Sequence, residues 1–171
     1  EIPLFSNKEL MLLAEYASKA LKIAGPKEDI TFVVKGLHTS TRWAMDEESL
    51  TLGDKVAKGE GSEFVSVHPY QDSLSFIAKT AEYSLKDYVI HAGGIDELVI
   101  ADAIIYPDSG ILTVEKEGVI QTLHNSKILV DDLTEYHTFR NASVDIKSAN
   151  NYTASGDYTY KDAMNNEQQK R

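Results

Sequence analysis

Histidine is the commonest metal-binding side chain, and five histidines are spread through this sequence. None forms a His-x-His or His-x-x-x-His pair, so a metal site would require ligands from distant segments. Some of the intervals approach the length of an internal repeat described below, which would let imidazoles align in a column. Half-exposed strand histidines are the favoured interpretation. The five are His38, His68, His91, His124 and His137.

Carboxylates are plentiful, but their spacing does not match a calcium loop, which needs oxygens converging from alternating positions. Asp46, Glu47 and Glu48 are adjacent, so their side chains point in different directions. Asp102, between Ala101 and Ala103, is the unusual acid and the candidate for a perturbed carboxyl group. An outward-facing strand residue is the favoured alternative. A glycosidase needs two carboxylates about 5–10 Å apart, so a carboxylate-dependent hydrolase remains a third hypothesis.

Motifs for nucleophilic and phosphate chemistry are absent from the sequence. The segment Gly59-Glu60-Gly61-Ser62-Glu63 is not G-x-S-x-G, because its serine directly follows the second glycine. Neither glycine-rich phosphate motif opens a helix. The lack of cysteine excludes disulfides, thiolate zinc sites, iron–sulfur clusters and cysteine nucleophiles. We therefore expect no catalytic residues, no metal and no cofactor.

Aromatic side chains are the remaining candidates for ligand binding. Trp43 and the tyrosines near the C-terminus could stack on the apolar faces of sugar rings. Tyr158 and Tyr160 are predicted to share one face of a strand, since side chains alternate along it. Cross-strand tyrosines that stabilise the sheet are the favoured alternative. The candidate ligand-binding residues are Trp43, Tyr152, Tyr158 and Tyr160.

The N-terminal segment has the pattern of an amphipathic helix over residues 6–24. Ser6 and Glu9 form a capping box, flanked by Phe5 and Leu10 as a hydrophobic staple. Gly25-Pro26 would end the helix. Apolar residues recur between these signals at the helical period, which predicts a helix packed against a sheet.

After Pro26 the apolar period changes from 3.6 to 2, which predicts short strands separated by turns. No second long helical pattern follows. The fold class predicted is mainly β, with stacked short antiparallel strands in a β-solenoid or jelly-roll-like arrangement and one N-terminal amphipathic helix. The predicted strands cover residues 30–34, 74–78, 88–92, 98–101, 111–115, 119–123, 127–130, 143–147 and 157–161.

A weak internal repeat divides the region 73–163 into four strand–turn–strand units of about 22–24 residues. Such a unit cannot bury its apolar face alone, so neighbouring units would stack. Any regular all-β protein could produce the same pattern, and both interpretations remain open. We assign 1–171 to one domain, in which 27–72 is irregular β and 164–171 a polar tail.

Composition limits the possible partners. The chain has 17 basic and 27 acidic residues, a net charge of −10, which argues against nucleic-acid binding. No apolar run is long enough for a transmembrane helix. The sequence starts at Glu1, which predicts a piece excised from a larger protein.

Several short segments of the sequence resemble a β-rich region of large uncharacterised secreted or cell-envelope proteins of Gram-negative bacteria, a family of unknown function. The resemblance implies an extracytoplasmic location and partners among the neighbouring β-domains of one parent chain. At the level of fold alone, the pattern is similar to OstA-like periplasmic lipopolysaccharide-transport domains. These segments are Lys35-Gly36-Leu37-His38, Ile100-Ala101-Asp102-Ala103, and residues 61–69, 71–76 and 152–158.

The leading hypothesis is a non-enzymatic, extracytoplasmic structural or interaction module that assembles by strand stacking. A strand edge near residues 158–161 would be covered by a neighbouring unit or a partner. The alternative is a glycan- or lipid-binding module that uses a tyrosine-lined face or a groove between sheets.

Overall fold

Three antiparallel sheets make up the structure, a computed structural model. It describes residues 14–15, 20–24, 30–35, 41–44, 48–53, 61–130, 136–161, 164 and 167–170. The strands are β1 (Ala14–Glu15), β2 (Ala20–Ala24), β3 (Ile30–Lys35), β4 (Thr41–Ala44), β5 (Ser49–Leu52), β6 (Ser62–Ser66), β7 (Ser75–Ala78), β8 (Thr80–Ser84), β9 (Val89–Gly93), β10 (Leu98–Ile100), β11 (Ala103–Tyr106), β12 (Ile111–Val114), β13 (Leu123–Val130), β14 (His137–Ser148), β15 (Asn151–Lys161) and β16 (Glu167–Lys170).

The sheets differ in size and in which strands form their edges. The first sheet has the order β1-β2-β3-β6-β7, and the second has the order β4-β5-β8-β9-β12. The third has the order β10-β11-β13-β14-β15-β16. Two edges matter below: β7 ends the first sheet, and β10 begins the third. The mainly β prediction is confirmed.

The predicted N-terminal helix is wrong where the structure describes it. Ala14–Glu15 and Ala20–Ala24 are strands, and Leu21 pairs with both Ala14 and Val34. The rest of the segment 6–24 lies outside the described residues. The segment 20–24 is too short to separate a helical from an alternating period, and pairing with β3 overrides helix propensity. Among the described residues, the helical structure is one 3-10 turn, Lys116–Gly118.

Strands occur at most of the alternating segments that predicted them, because one face of each is buried. In β9, Ile90 and Ala92 are buried while His91 is exposed. The prediction at 119–123 is less accurate: Ile120 makes only an isolated bridge to Val114, and β13 begins at Leu123. Within the predicted polar tail, Glu167–Lys170 form β16. The division into four repeats stays a prediction.

One continuous hydrophobic core joins the three sheets. Its aromatic centre lies in the first sheet, where the rings of Phe64 and Phe76 stack with centroids 5.0 Å apart. Phe32 lies against Phe76 at 6.0 Å. The fully buried residues of the other two sheets include Tyr83, Ile100, Ile105, Leu112, Val114, Ile128 and Val144.

A buried glutamine connects separate parts of this core. Gln71, only 6% exposed, accepts a hydrogen bond from the Ser66 hydroxyl and donates through Nε2 to the Gly118 carbonyl at 2.6 Å. Its backbone carbonyl accepts from the amides of Leu74 and Ala149. Since buried polar groups need partners, Gln71 ties the loop before β7 to the 3-10 turn and to the turn after β14.

Candidate functional site

The longest strands, β14 and β15, are neighbours in the third sheet and lie between β13 and β16. They pair antiparallel from His137 with Tyr160 to Ser148 with Asn151. An extra residue in β14 shifts the register between Arg140 and Ser143, where Asn141 has a φ of 48°. We call β14 and β15 the ribbon. The predicted tyrosines Tyr152, Tyr158 and Tyr160 all lie on it.

Gly156 allows β15 to lie close to β14 beside the extra residue, which forms a β-bulge between Arg140 and Ser143. A Cβ at Gly156 would lie 2.8 Å from the Arg140 carbonyl oxygen and 2.9 Å from the Ala142 Cα. Side chains larger than hydrogen would therefore push the two strands apart. The requirement for glycine comes from the partner strand and is not visible in the local sequence.

Aromatic rings gather at the open end of the ribbon, in a group we call the aromatic cluster. His137 lies opposite Tyr160, and Phe139 lies opposite Tyr158. The His137 ring stacks on Tyr158 with a centroid distance of 6.0 Å, and its Nδ1 is 2.7 Å from the Tyr158 hydroxyl oxygen. Tyr136 meets Tyr160 edge to face at 6.3 Å. All five side chains are half-buried.

Tyr152 is separate from the aromatic cluster. It is six residues from Tyr158 along one strand, a separation of about 20 Å. Its ring packs against the hydrophobic core beside Ile146. Burial raises the pKa of the Tyr152 hydroxyl, and the nearby Asp102 carboxylate raises it further. Tyr152 therefore stays protonated and neutral under ordinary conditions.

The structure does not bring the four predicted ligand-binding aromatics into one platform. Trp43 lies on β4 in the second sheet, paired through its backbone with Leu50. Tyr158 and Tyr160 are adjacent on the ribbon, whereas Tyr152 is distant from them. Sequence reasoning missed Tyr136 and Phe139 and considered His137 only as a metal ligand, although the alternation of His137 and Phe139 was a signal for one shared face.

The candidate acid, Asp102, lies outside the apolar strand in which it was expected. It is exposed in the two-residue turn between β10 and β11, where Ala101 has a φ of 54°. Glu48 is exposed too. Asp46 and Glu47 lie outside the described residues.

The four histidines that the structure describes do not converge. Nδ1 of His91 lies 3.2 Å from the Thr113 hydroxyl, and Nδ1 of His124 lies 3.3 Å from the Ser143 hydroxyl. The His68 ring lies 5.7 Å from the Tyr70 ring. His38 is outside the described residues. Across the part of the chain that the structure describes, no three histidine or acidic side chains are grouped as metal ligands would be.

The outer edge of β15 is only partly covered. The Lys161 amide donates to the Tyr136 carbonyl. Backbone hydrogen bonds alternate along an antiparallel pair, so the odd-numbered residues of β15 bond to β14. Even-numbered residues of β15 therefore direct their N–H and C=O groups away from β14. β16 covers this edge opposite Tyr158 and Tyr160. The backbone groups of Tyr152, Ala154 and Gly156 also face outward, and the described part of the chain supplies no strand that pairs with them.

No family model, curated protein or solved structure matches this chain. No helix in the described ranges combines the length and apolar character needed to cross a membrane. The assignment of a function therefore depends on the geometry of the ribbon and its edge.

Proposed function

We propose that this chain is a non-enzymatic structural and interaction module of a larger extracytoplasmic protein. It assembles by adding a neighbouring β-unit to the open edge of β15. The observation that carries the proposal is that β15 has a second hydrogen-bonding edge, which faces away from β14 and on which β16 already pairs with Tyr158–Lys161. Among the described residues no strand pairs with this edge along residues 151–157, so it is a template for strand addition, whether by chain that continues β16 or by a neighbouring unit.

Small residues beside the edge support the same proposal. Ala154 and Gly156 lie on the same face as Tyr152 and Tyr158, and both small residues are exposed. A strand added at this edge would place its side chains beside Ala154 and Gly156 and cover part of their exposed surface. Stacking of this kind is what the predicted solenoid or jelly-roll-like repeats of 73–163 would need.

A second copy of the chain is the neighbouring unit with which the proposal is tested. Ala154→Pro removes an outward N–H and leaves the ladder with β14 intact, because proline is tolerated where the N–H faces away from the sheet. Ala154→Ser, which keeps the N–H, is the matched control. We expect sedimentation equilibrium to show reversible association of the wild type and the serine variant, and about tenfold weaker association of the proline variant.

Amide hydrogen exchange gives an independent readout. In the dilute monomer, the amides of Tyr152, Ala154 and Gly156 should exchange rapidly, whereas those of Thr153 and Ser155 should be protected by the ladder. Association should protect the first three. Equal association of the two variants, or a wild type that remains monomeric up to about 1 mM, would contradict the proposal.

The aromatic cluster supports a second candidate function, a glycan- or lipid-binding module. Tyr158 and Tyr160 are half-buried and partly accessible beside the exposed Ala154 and Gly156. This arrangement offers a ring face beside a surface without bulky side chains. Titration with neutral oligosaccharides or lipid micelles should then shift the ring resonances of Tyr158 and Tyr160. Unchanged resonances at saturating ligand would remove this candidate.

A further inference from the structure

A cleft separates the edge strands of two different sheets. β7 is the last strand of the first sheet and β10 is the first strand of the third, and no ladder joins them. The cleft has a volume of about 340 Å³, within the range of small-ligand sites. We call it the β7–β10 cleft. Its lining includes Glu63, Ser75, Phe76, Ile77, Glu97 and Val99.

Backbone hydrogen-bonding groups point into this cleft from β7. The Ser66 amide donates to the carbonyl of Leu74, the residue directly opposite it in the register of β6 and β7. Because such bonds alternate along an antiparallel pair, the N–H and C=O groups of Ser75 and Ile77 point away from β6. They therefore face the cleft.

Backbone groups of β10 face the cleft from the other side. The two-residue turn after Ile100 makes Ile100 and Ala103 a hydrogen-bonded pair, so Val99 points its N–H and C=O groups away from β11. Ala101 is two residues further on, so its amide points the same way as that of Val99, and it donates to the Ala149 carbonyl at 2.8 Å. The described residues supply no strand to pair with Val99.

Ala149 already occupies the position of an inserted strand at one end of the cleft. Its carbonyl accepts from Ala101 beside β10, and its amide donates to the Gln71 carbonyl beside β7. One residue thus connects the two edges. At the other end, the Lys79 ammonium lies 2.8 Å from the Asp96 carboxylate, so an exposed ion pair spans the gap between the two edges.

The side chains around the cleft are apolar and acidic. Ile77 is 54% exposed and Val99 is 63% exposed, one on each side. Glu63 lies opposite Ile77, and Glu97 precedes the β10 strand on the outer face with Val99. Since the Lys79 charge is offset by Asp96, Glu63 and Glu97 make the entrance negative.

We propose that the β7–β10 cleft is an insertion site for an extended basic peptide, which pairs with the free edges of both strands. Outward lysine or arginine side chains of the peptide lie along Ile77 and Val99 and place their charges near Glu63 and Glu97. Inward apolar side chains contact Phe76. Insertion requires separation of the edges at the Lys79 end, where the Lys79–Asp96 ion pair breaks.

An end-capped hexapeptide that alternates lysine and valine is the probe, and a glutamate–valine hexapeptide is its control. Titration of the full chain, followed by amide NMR, should shift the signals of Ser75, Ile77 and Val99 with the lysine peptide only. The affinity should fall with rising salt, because screening weakens the attraction to Glu63 and Glu97. Shifts confined to Tyr152, Ala154 and Gly156 would instead place the peptide on the ribbon and overturn this proposal.

Variants separate backbone pairing from charge. Ile77→Pro removes an N–H that faces the cleft and should weaken binding about tenfold, whereas Ile111→Ser, at a site 50% exposed on another edge strand, should not change it. Glu97→Lys should weaken the lysine peptide and strengthen the glutamate peptide. Lys79→Met should tighten binding, because it removes a cation that spans the cleft and leaves Asp96 free to pair with the lysine peptide.

These outcomes are independent of strand addition at β15, which the Ala154 variants test. Circular dichroism and thermal unfolding establish that each variant is folded, and Glu97→Lys tests the site if Ile77→Pro does not fold. Equal affinity for the two peptides, or an unchanged preference in Glu97→Lys, would refute the basic-peptide site. Self-association that Ile77→Pro abolishes would assign the cleft to a second copy instead.

Discussion

Gln71→Ala tests whether one buried side chain holds the parts of the core together. The substitution leaves the Ser66 hydroxyl without its acceptor and the Gly118 carbonyl without its donor, while the backbone bonds of residue 71 remain. A buried polar group without a partner costs about 1–3 kcal/mol. Two such groups predict a loss of about 2–6 kcal/mol in the free energy of unfolding. This corresponds to a fall of about 4–24 °C in Tm.

Urea unfolding followed by circular dichroism measures this loss. Gln121→Ala is the matched control, because Gln121 is exposed, and it should change the free energy of unfolding by less than about 0.5 kcal/mol. Gln71→Leu restores most of the side-chain volume but neither hydrogen bond, so it should be nearly as destabilising as Gln71→Ala. A leucine variant as stable as the wild type would show that volume, and not hydrogen bonding, is the contribution of Gln71. That result would refute the reasoning.

Two further predictions concern the ribbon and the buried tyrosine. Gly156→Ala should destabilise the protein by about 1–3 kcal/mol in urea unfolding, because its Cβ meets the backbone of Arg140 and Ala142; an effect no larger than that of Ser155→Ala would contradict the steric argument. Burial raises the pKa of the Tyr83 hydroxyl, and the nearby Tyr88 raises it further. The neutral Tyr83 hydroxyl therefore makes its full contribution to the free energy of unfolding below about pH 10, the pKa of tyrosine in the unfolded chain. This contribution is lost as the pH rises above that value. Tyr83→Phe should flatten the alkaline fall of the urea midpoint, and an unchanged slope would exclude Tyr83 as its cause.

The strands were predictable because their signal is local. In β9 and β14, apolar and polar side chains alternate, and each buries one face against the core. A period of 2 in the sequence is sufficient to predict that arrangement. The mainly β class therefore followed from the sequence alone.

The N-terminal segment shows where local signals fail. A capping box and a helical period describe what an isolated segment prefers, and they contain no information about a partner strand. Ala20–Ala24 pairs with β3, and this long-range contact overrides the local preference. The described part of the segment is therefore extended.

The candidate sites depend on long-range relations of the same kind. The aromatic cluster requires the register that sets His137 opposite Tyr160, and the β7–β10 cleft requires edges from two different sheets. The alternation of hydrogen bonds along each strand pair decides which residues turn their N–H and C=O groups away from the partner strand. Register and phase are fixed by turns and bulges far along the chain, so the tyrosines were identified from sequence but their arrangement was not.

The bridging position of Ala149 has a mechanical consequence. It lies in the turn of the ribbon, at the opposite end from Lys161, and two backbone hydrogen bonds connect it to both neighbouring edges. A force that pulls on the chain beyond Lys161 and is opposed at the core would detach β16 and then strip β15 from β14 one rung at a time, starting at His137 and Tyr160 and reaching Ala149 last. Rungs that break one at a time yield at a lower force than a core whose strands must separate together, so β15 would lengthen the chain first and act as an extensible tether in series with a stiffer body.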